Sequence, residues 1–291
     1  MENDRRNSAK VGSNRANWQI PRGVTASNWE YAQANHISTG YDKFLHDDPL
    51  TMVDRQIINR YLPDRNSETE KIGNSNKPLI ADFGCGNGRT LIPLLNRGYQ
   101  GVGIDLSIPM LNAFQKKIGI DPNREELGSN TGENDCFWIQ ANLVELEGIV
   151  DGAFDHGLSL FSTLGMIRGH ENRLLFLRHA RRTIKPGGWF ILHAHNVWYQ
   201  LRYPGGLRWA LGNGLRAIRG KSEFGDRESN YRGINKMFIH SFRRRELVRA
   251  LSHAGFREFD WFGVSPHQEQ PVDGLPVGHP LRLVGWVVAC R

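Results

Sequence analysis

The ten residues ADFGCGNGRT, 81–90, follow the apolar run Pro78-Leu79-Ile80 and place glycines at alternate positions, Gly84, Gly86 and Gly88, behind an aspartate, Asp82. An apolar run, a glycine cluster and a helical pattern closed by Gly98 predict a strand, a tight turn and a helix. In an open parallel sheet, such a turn lies beyond the carboxyl end of its strand, where ligands bind. Glycine allows the bend and lets a ligand approach the main chain. The free amides that open the next helix suit an anionic group.

Working outward, apolar runs at 79–83, 100–105, 136–140, 157–161 and 188–194 predict strands, with helical patterns at 89–97, 107–117 and 170–184 between them. That alternation implies right-handed crossovers and a parallel sheet with helices on both faces. A late helix is expected at 243–254, and two closing strands near 256–264 and 281–290. Upstream, residues 1–27 are polar and rich in Asn, Ser and Arg, the composition of a disordered tail. Trp29 to Leu62 carries apolar residues at helical intervals, so residues 28–77 are expected to form a helical extension and a polar linker (63–77) before the main domain at 78–291. The stretch 121–134 is a polar insertion.

Composition narrows the classes. A chain of 291 residues with 39% hydrophobic content allows one sizeable core. The apolar stretch Leu281–Cys290 is broken by Arg282 and Gly285 and is too short to span a bilayer. The N-terminus lacks the apolar core of a signal peptide, so a cytoplasmic protein is expected. Cys85, Cys136 and Cys290 are too widely spaced to suggest a disulfide framework or a zinc site. The net charge of +7 is concentrated: Arg202 to Arg249 holds 12 Lys or Arg against 4 Asp or Glu.

Two features bear on the ligand. The dinucleotide fingerprint G-x-G-x-x-G would need its third glycine at Arg89, whereas the run here is D-x-G-x-G-x-G. A second acid, Asp105, ends the strand pattern GVGID, where a carboxylate can accept both hydroxyl protons of a ribose. An acid at that place is shared with NAD enzymes, so it supports a nucleoside ligand without choosing between them.

These stretches resemble the class I S-adenosylmethionine-dependent methyltransferases. IADFGCGNGRTLIPLLNRG is similar to that family's first motif and GVGIDLSIPML to its second-strand motif. FDHGLSLFSTLGMI and TIKPGGWFILHAHN resemble its fourth- and fifth-strand motifs, and RRRELVRALSHAGF its C-terminal helix. The resemblance covers roughly 78–291, with a gap inside 199–240. It implies a three-layer α/β/α, Rossmann-like fold, with a seven-stranded, mostly parallel sheet holding one antiparallel strand. It also implies S-adenosylmethionine as cofactor. The turn from Gly84 through Cys85 and Gly86 to Gly88 would border the methionine portion and ribose, and Asp82 would orient the ammonium. Asp105 would hold the ribose and Leu106 would cover an adenine face. Asn142 stands where the family often has an acid, and with the Leu143 amide it would meet the adenine edge. Phe161 would line the methionine end, and Tyr41 is a candidate for closing over it.

Methyl transfer from a sulfonium is an in-line displacement that needs positioning, exclusion of water and, for some acceptors, a base. The pattern identifies no catalytic residue outright; the candidates are His195 and His193 on the fifth strand and His240 before the late helix. The segment 199–240 mixes aromatics with arginines and includes a short basic amphipathic helix at 207–218. It reads as a lid over a small-molecule acceptor, methylated at O, N or C. Three alternatives stay open: an RNA or protein acceptor, a non-catalytic subunit that binds the cofactor, and, more distantly, a dinucleotide oxidoreductase.

Overall fold

The computed structural model describes residues 20–42, 49–65, 77–119, 135–266, 272–273 and 280–291. Most of the expected tail, residues 66–76 of the linker and the 121–134 insertion lie outside these described residues. The chain opens with helices α1 (Ala26–Gln33), α2 (Asn35–Thr39) and α3 (Pro49–Tyr61). Helix α1 begins inside the stretch expected to be tail because Thr25 caps it, its hydroxyl accepting the Asn28 N–H at 3.2 Å.

Alternation follows: β1 (Leu79–Phe83), α4 (Leu91–Leu95), β2 (Gln100–Asp105), α5 (Ile108–Lys117), β3 (Cys136–Gln140), β4 (His156–Ser159), α6 (Thr163–Met166), α7 (His170–Thr183) and β5 (Phe190–His195). Then come a 3-10 turn (Val197–Arg202), α8 (Gly206–Ile218), a hairpin of β6 (Asp226–Tyr231) and β7 (Ile234–His240), α9 (Arg244–Ala254), β8 (Phe259–Val264), the two-residue β9 (Val272–Asp273) and β10 (Gly285–Cys290).

The main sheet has the order β3-β2-β1-β4-β5-β10-β8-β9. Its seven long strands are parallel except β10, which pairs antiparallel with β5 and β8. The short β9 adds a single antiparallel pair, Gly263 with Val272, at the edge. Strand alternation divides the core into two faces. Ile80, Leu158, Ile191 and Val287 meet Val53 and Ile57 of α3, Leu91 of α4 and Phe114 of α5. Phe83, Ile104, Leu192 and Val288 meet Phe176 and Leu177 of α7 and Leu247 and Leu251 of α9. The result is three layers.

β4 stops two residues short of the expected 161. Phe161 and Ser162 turn left-handed, at φ 52° and 62°, and Ser162 leads straight into α6. The hairpin β6/β7 was not expected as strands. It turns at Arg232 and Gly233, both left-handed (φ 47° and 87°), the geometry that closes two-residue hairpins.

Two buried polar groups lock this hairpin across the carboxyl edge of the sheet. Asn28 of α1 accepts the Phe238 N–H at 2.9 Å and donates to the carbonyls of Phe238 (3.1 Å) and Met166 (3.0 Å). His240 bonds Asp226 Oδ1 through Nδ1 and Glu246 Oε1 through Nε2, each at 2.7 Å.

Candidate cofactor and acceptor site

The register that sets Phe83 beside Ile104 brings the turn at 84–88 and Asp105 to the same edge of the sheet. There they border a cavity of about 380 Å³. Gly86, at φ +53°, has nothing within 4 Å of where a Cβ would stand, so its main chain faces open space in the cavity wall. Asp105 is fixed by two amides: Oδ2 accepts from Gly86 N and Oδ1 from Ser107 N, both at 2.8 Å. Each oxygen keeps a lone pair for a further donor. Burial raises the Asp105 pKa, and the amides of Ser107, Gly86 and Leu106 partly offset that rise.

Asp82 is buried beside it, and neither of its oxygens has a hydrogen-bond partner among the described residues. Burial pushes its pKa up to about 7; the Arg89 guanidinium opposes this and Asp105 adds to it. A buried carboxylate without a direct partner favours a cation. A pre-fixed carboxylate for vicinal hydroxyls, a second carboxylate suited to an ammonium and exposed main chain at Gly86 together fit S-adenosylmethionine.

The other expected contacts divide. Gly84, Cys85, Leu106, Asn142, Leu143, Phe161 and Tyr41 all line the cavity. The Cys85 thiol is pushed well above its usual range by burial, which leaves it an inert filler. Asn142 is partly committed already: Nδ2 donates to the Arg22 carbonyl and to Glu145 Oε2, each at 3.0 Å, and Oδ1 accepts from Val144 N at 3.4 Å.

Gly88 needs a different account. It does not line the cavity; a Cβ there would stand 2.1 Å from the Phe114 ring, so this glycine lets α5 pack against the turn. The histidine candidates also separate. His195, at the end of β5, lines the cavity, with Nε2 buried and unpartnered. Burial, with help from His193 and Arg227, pushes its pKa down to about 3, so it is a neutral imidazole at any physiological pH. His193 shares that strand face but lies one pleat deeper, outside the cavity, with Nδ1 2.8 Å from Asp54 Oδ1 of α3. His240 is likewise outside the lining. Glu223, His240 and Glu246 come within 4.8 Å of one another. A cation is already in place there: Arg173 Nη2 lies 2.5 Å from Glu223 and 4.0 Å from Glu246.

Tyr31 of α1 also lines the cavity and gave no sequence signal, whereas Arg227, Ser229, Tyr231, Met237 and Ile239 of the hairpin fall within the 199–240 segment read as a lid. Arg227 donates from Nη1 to Gln200 Oε1 at 2.9 Å, while its Nε is buried and unpartnered. Tyr41, pushed up to about 12 mainly by burial, is a neutral phenol. The cavity lining therefore combines main chain and carboxylates with apolar and aromatic groups, and includes His195 and Arg227.

Comparison with known proteins bears on the family and the fold. A family model described as a methyltransferase domain matches residues 81–192. YqeM of Bacillus subtilis (strain 168), whose curated name is that of a methyltransferase, is 26% identical over 120 residues, 41% of this chain. The match spans 43% of YqeM's own length. A SAM-dependent methyltransferase of Methanosarcina mazei superposes with a TM-score of 0.55 at 20% identity, over 80% of this chain and 95% of its own. The CcbJ methyltransferase of Streptomyces caelestis gives 0.57 at 16% identity, over 89% and 98%. DhpI, solved as a complex with SAH, gives 0.54 at 12% identity, over 92% and 97%. At these identities the solved structures speak for the fold. The motif order, the three-layer sheet and the family match lead to one assignment: residues 81–192 carry a methyltransferase domain, and the chain is similar to S-adenosylmethionine-dependent methyltransferases, which supports S-adenosylmethionine as its cofactor.

Proposed function

We propose that this chain transfers a methyl group from S-adenosylmethionine to a small-molecule acceptor held between the glycine turn and the β6/β7 hairpin. The observation that carries this reading is the hairpin's place in the lining: Arg227, Ser229, Tyr231, Met237 and Ile239 bound the same cavity as Asp82, Gly86 and Asp105, which favours a confined acceptor space over an open groove. The cofactor, when bound, supplies a methyl group already activated on a sulfonium.

The protein's own residues then supply position and dryness. Asp105 would accept the ribose hydroxyls, Asp82 would meet the ammonium, and Leu106 and Leu143 would flank the adenine. Tyr31, Phe161, Met166 and Met237 exclude water, which favours a reaction that neutralises charge. His195 and Arg227 bring unpartnered buried nitrogens to the acceptor end. With its pKa near 3, His195 orients an acceptor by hydrogen bonding and does not store a proton at neutral pH.

The basic 202–249 segment is what favours a second reading, methylation of RNA. Purified protein given methyl-labelled S-adenosylmethionine, with either a small-molecule extract or total RNA, separates the two. The proposal predicts label in the low-mass fraction alone. Label in RNA would replace it, and binding without any transfer would make the chain a non-catalytic partner.

A further inference from the structure

Residues 197–222 contain five cations, Arg202, Arg208, Arg216, Arg219 and Lys221, and no Asp or Glu. Helix α8 lies within this stretch, and its inner face is fixed to the fold. Gly206 packs so closely that a Cβ would stand 2.1 Å from the Gln200 carbonyl. Buried Asn213 donates to the Asp226 carbonyl at 2.9 Å and accepts from Gly225 N at 2.8 Å, which ties α8 to the start of the β6/β7 hairpin. Trp209 is half-buried, its ring centroid 6.4 Å from that of Phe224.

The outer face is different. Leu207, Leu211, Leu215 and Ile218 are 67%, 63%, 54% and 85% exposed. Their spacing of four, four and three residues makes one stripe along the helix. Scattered exposed leucines need no explanation, but a contiguous stripe does. On a helical projection of 100° per residue, Arg208 and Arg219 border that stripe along one side, and Arg216 lies further round on the same side.

We propose that α8 docks on an anionic membrane surface, laying its leucine stripe into the headgroup boundary with its arginines among the lipid phosphates. An apolar face bordered by cations, on a helix too short to span, is the pattern of interfacial helices. Among the described residues no helix is long and apolar enough to cross a membrane. RNA fits the same cations, but its bases stack on aromatic faces; the stripe itself is aliphatic, and the exposed Tyr203 and half-buried Trp209 lie off it. A second copy fits the leucines, but it would bring two acid-free, arginine-bearing faces together. Only an anionic lipid surface satisfies stripe and charge at once. This inference rests on the outer face of α8 and is independent of the methyl-transfer reading.

The test is co-sedimentation of the full chain with vesicles of phosphatidylcholine, with and without one third phosphatidylglycerol. Partition onto the anionic vesicles is expected, and little onto neutral ones. The double variant Leu211→Glu/Leu215→Glu should lower it by at least about tenfold. Arg208→Gln and Arg219→Gln should each lower it about fivefold. All four side chains are exposed, so thermal midpoints should not move. Failure of the wild type to bind anionic vesicles, or unchanged binding by the leucine variant, overturns the proposal. A dimer that the leucine variant dissolves, without vesicle binding, assigns the face to a second copy. An RNA complex lost only in the arginine variants, without vesicle binding, assigns it to RNA.

Discussion

Replacing Asp105 with alanine is the sharpest perturbation of the site. The side chain bonds the Gly86 and Ser107 amides at 2.8 Å each and, in the account above, also holds the ribose hydroxyls. Hydrogen bonds to a charged acceptor are worth about 1.5–3 kcal/mol each. Water entering the vacated space replaces part of that, so a net loss of about 2–3 kcal/mol is expected, a 30- to 150-fold weaker Kd. The two stranded amides should also lower stability by about 1–3 kcal/mol. A distorted turn could weaken binding without any ribose contact, so affinity alone does not isolate the role. The discriminating assay is a calorimetric cycle with S-adenosylhomocysteine and its 2′-deoxy analogue, each titrated into wild type and Asp105→Ala. If the carboxylate holds the hydroxyl, wild type loses affinity for the deoxy analogue and the variant does not, a coupling of about 1 kcal/mol or more. Equal losses in both proteins would refute the ribose role.

Other expectations follow from single contacts. Gly88→Ala should destabilise the fold by about 2–4 kcal/mol in thermal or denaturant melts, because a Cβ meets the Phe114 ring at 2.1 Å in a backbone at φ +75°. Asn28→Ala leaves the Phe238 N–H and two carbonyls without their partner, so hydrogen exchange should show the β6/β7 hairpin opening more often while β1 and β2 keep their protection. The His240 network sets a two-sided pH dependence. Burial lowers the His240 pKa, but Asp226 and Glu246 outweigh it and the net shift is upward. The contribution of His240 is therefore full below its ordinary 6.5 and fades as pH rises through the folded value. Both acids are shifted down, despite burial, by their bonds to His240, so theirs is full above about 4.5 and fades as pH falls. The melting temperature of His240→Gln should lose most of the alkaline arm; an unchanged profile would count against the network.

What the sequence disclosed follows physical lines. Strands β1, β2 and β3 match the expected bounds because each is a compact apolar run with turn residues on both sides. The hairpin was illegible because β6 reads Asp-Arg-Glu-Ser-Asn-Tyr, with no apolar alternation; the pair is held instead by Asn28 of α1, bonded to β7, and by His240 of β7, which ties Asp226 to Glu246 of α9. Within the site, the glycine turn and Asp105 were legible because backbone conformation and strand ends leave local marks. Gly88 shows the limit of such marks, since the same spacing serves ligand approach at Gly86 and helix packing at Gly88. Tyr31 was illegible because nothing near it in sequence predicts which cavity it reaches, whereas Arg227 and Tyr231 fall within the segment expected to cover the acceptor. His193 and His195 were placed on one face correctly, but only the burial pattern shows that the inner one belongs to Asp54.

The most direct test of the central claim is calorimetry of the purified full chain with S-adenosylmethionine, S-adenosylhomocysteine and NADH. The account predicts one site for the first two, with Kd in the roughly micromolar range, and none for NADH. Absence of binding by both adenosyl compounds, or tight binding of NADH alone, would contradict it.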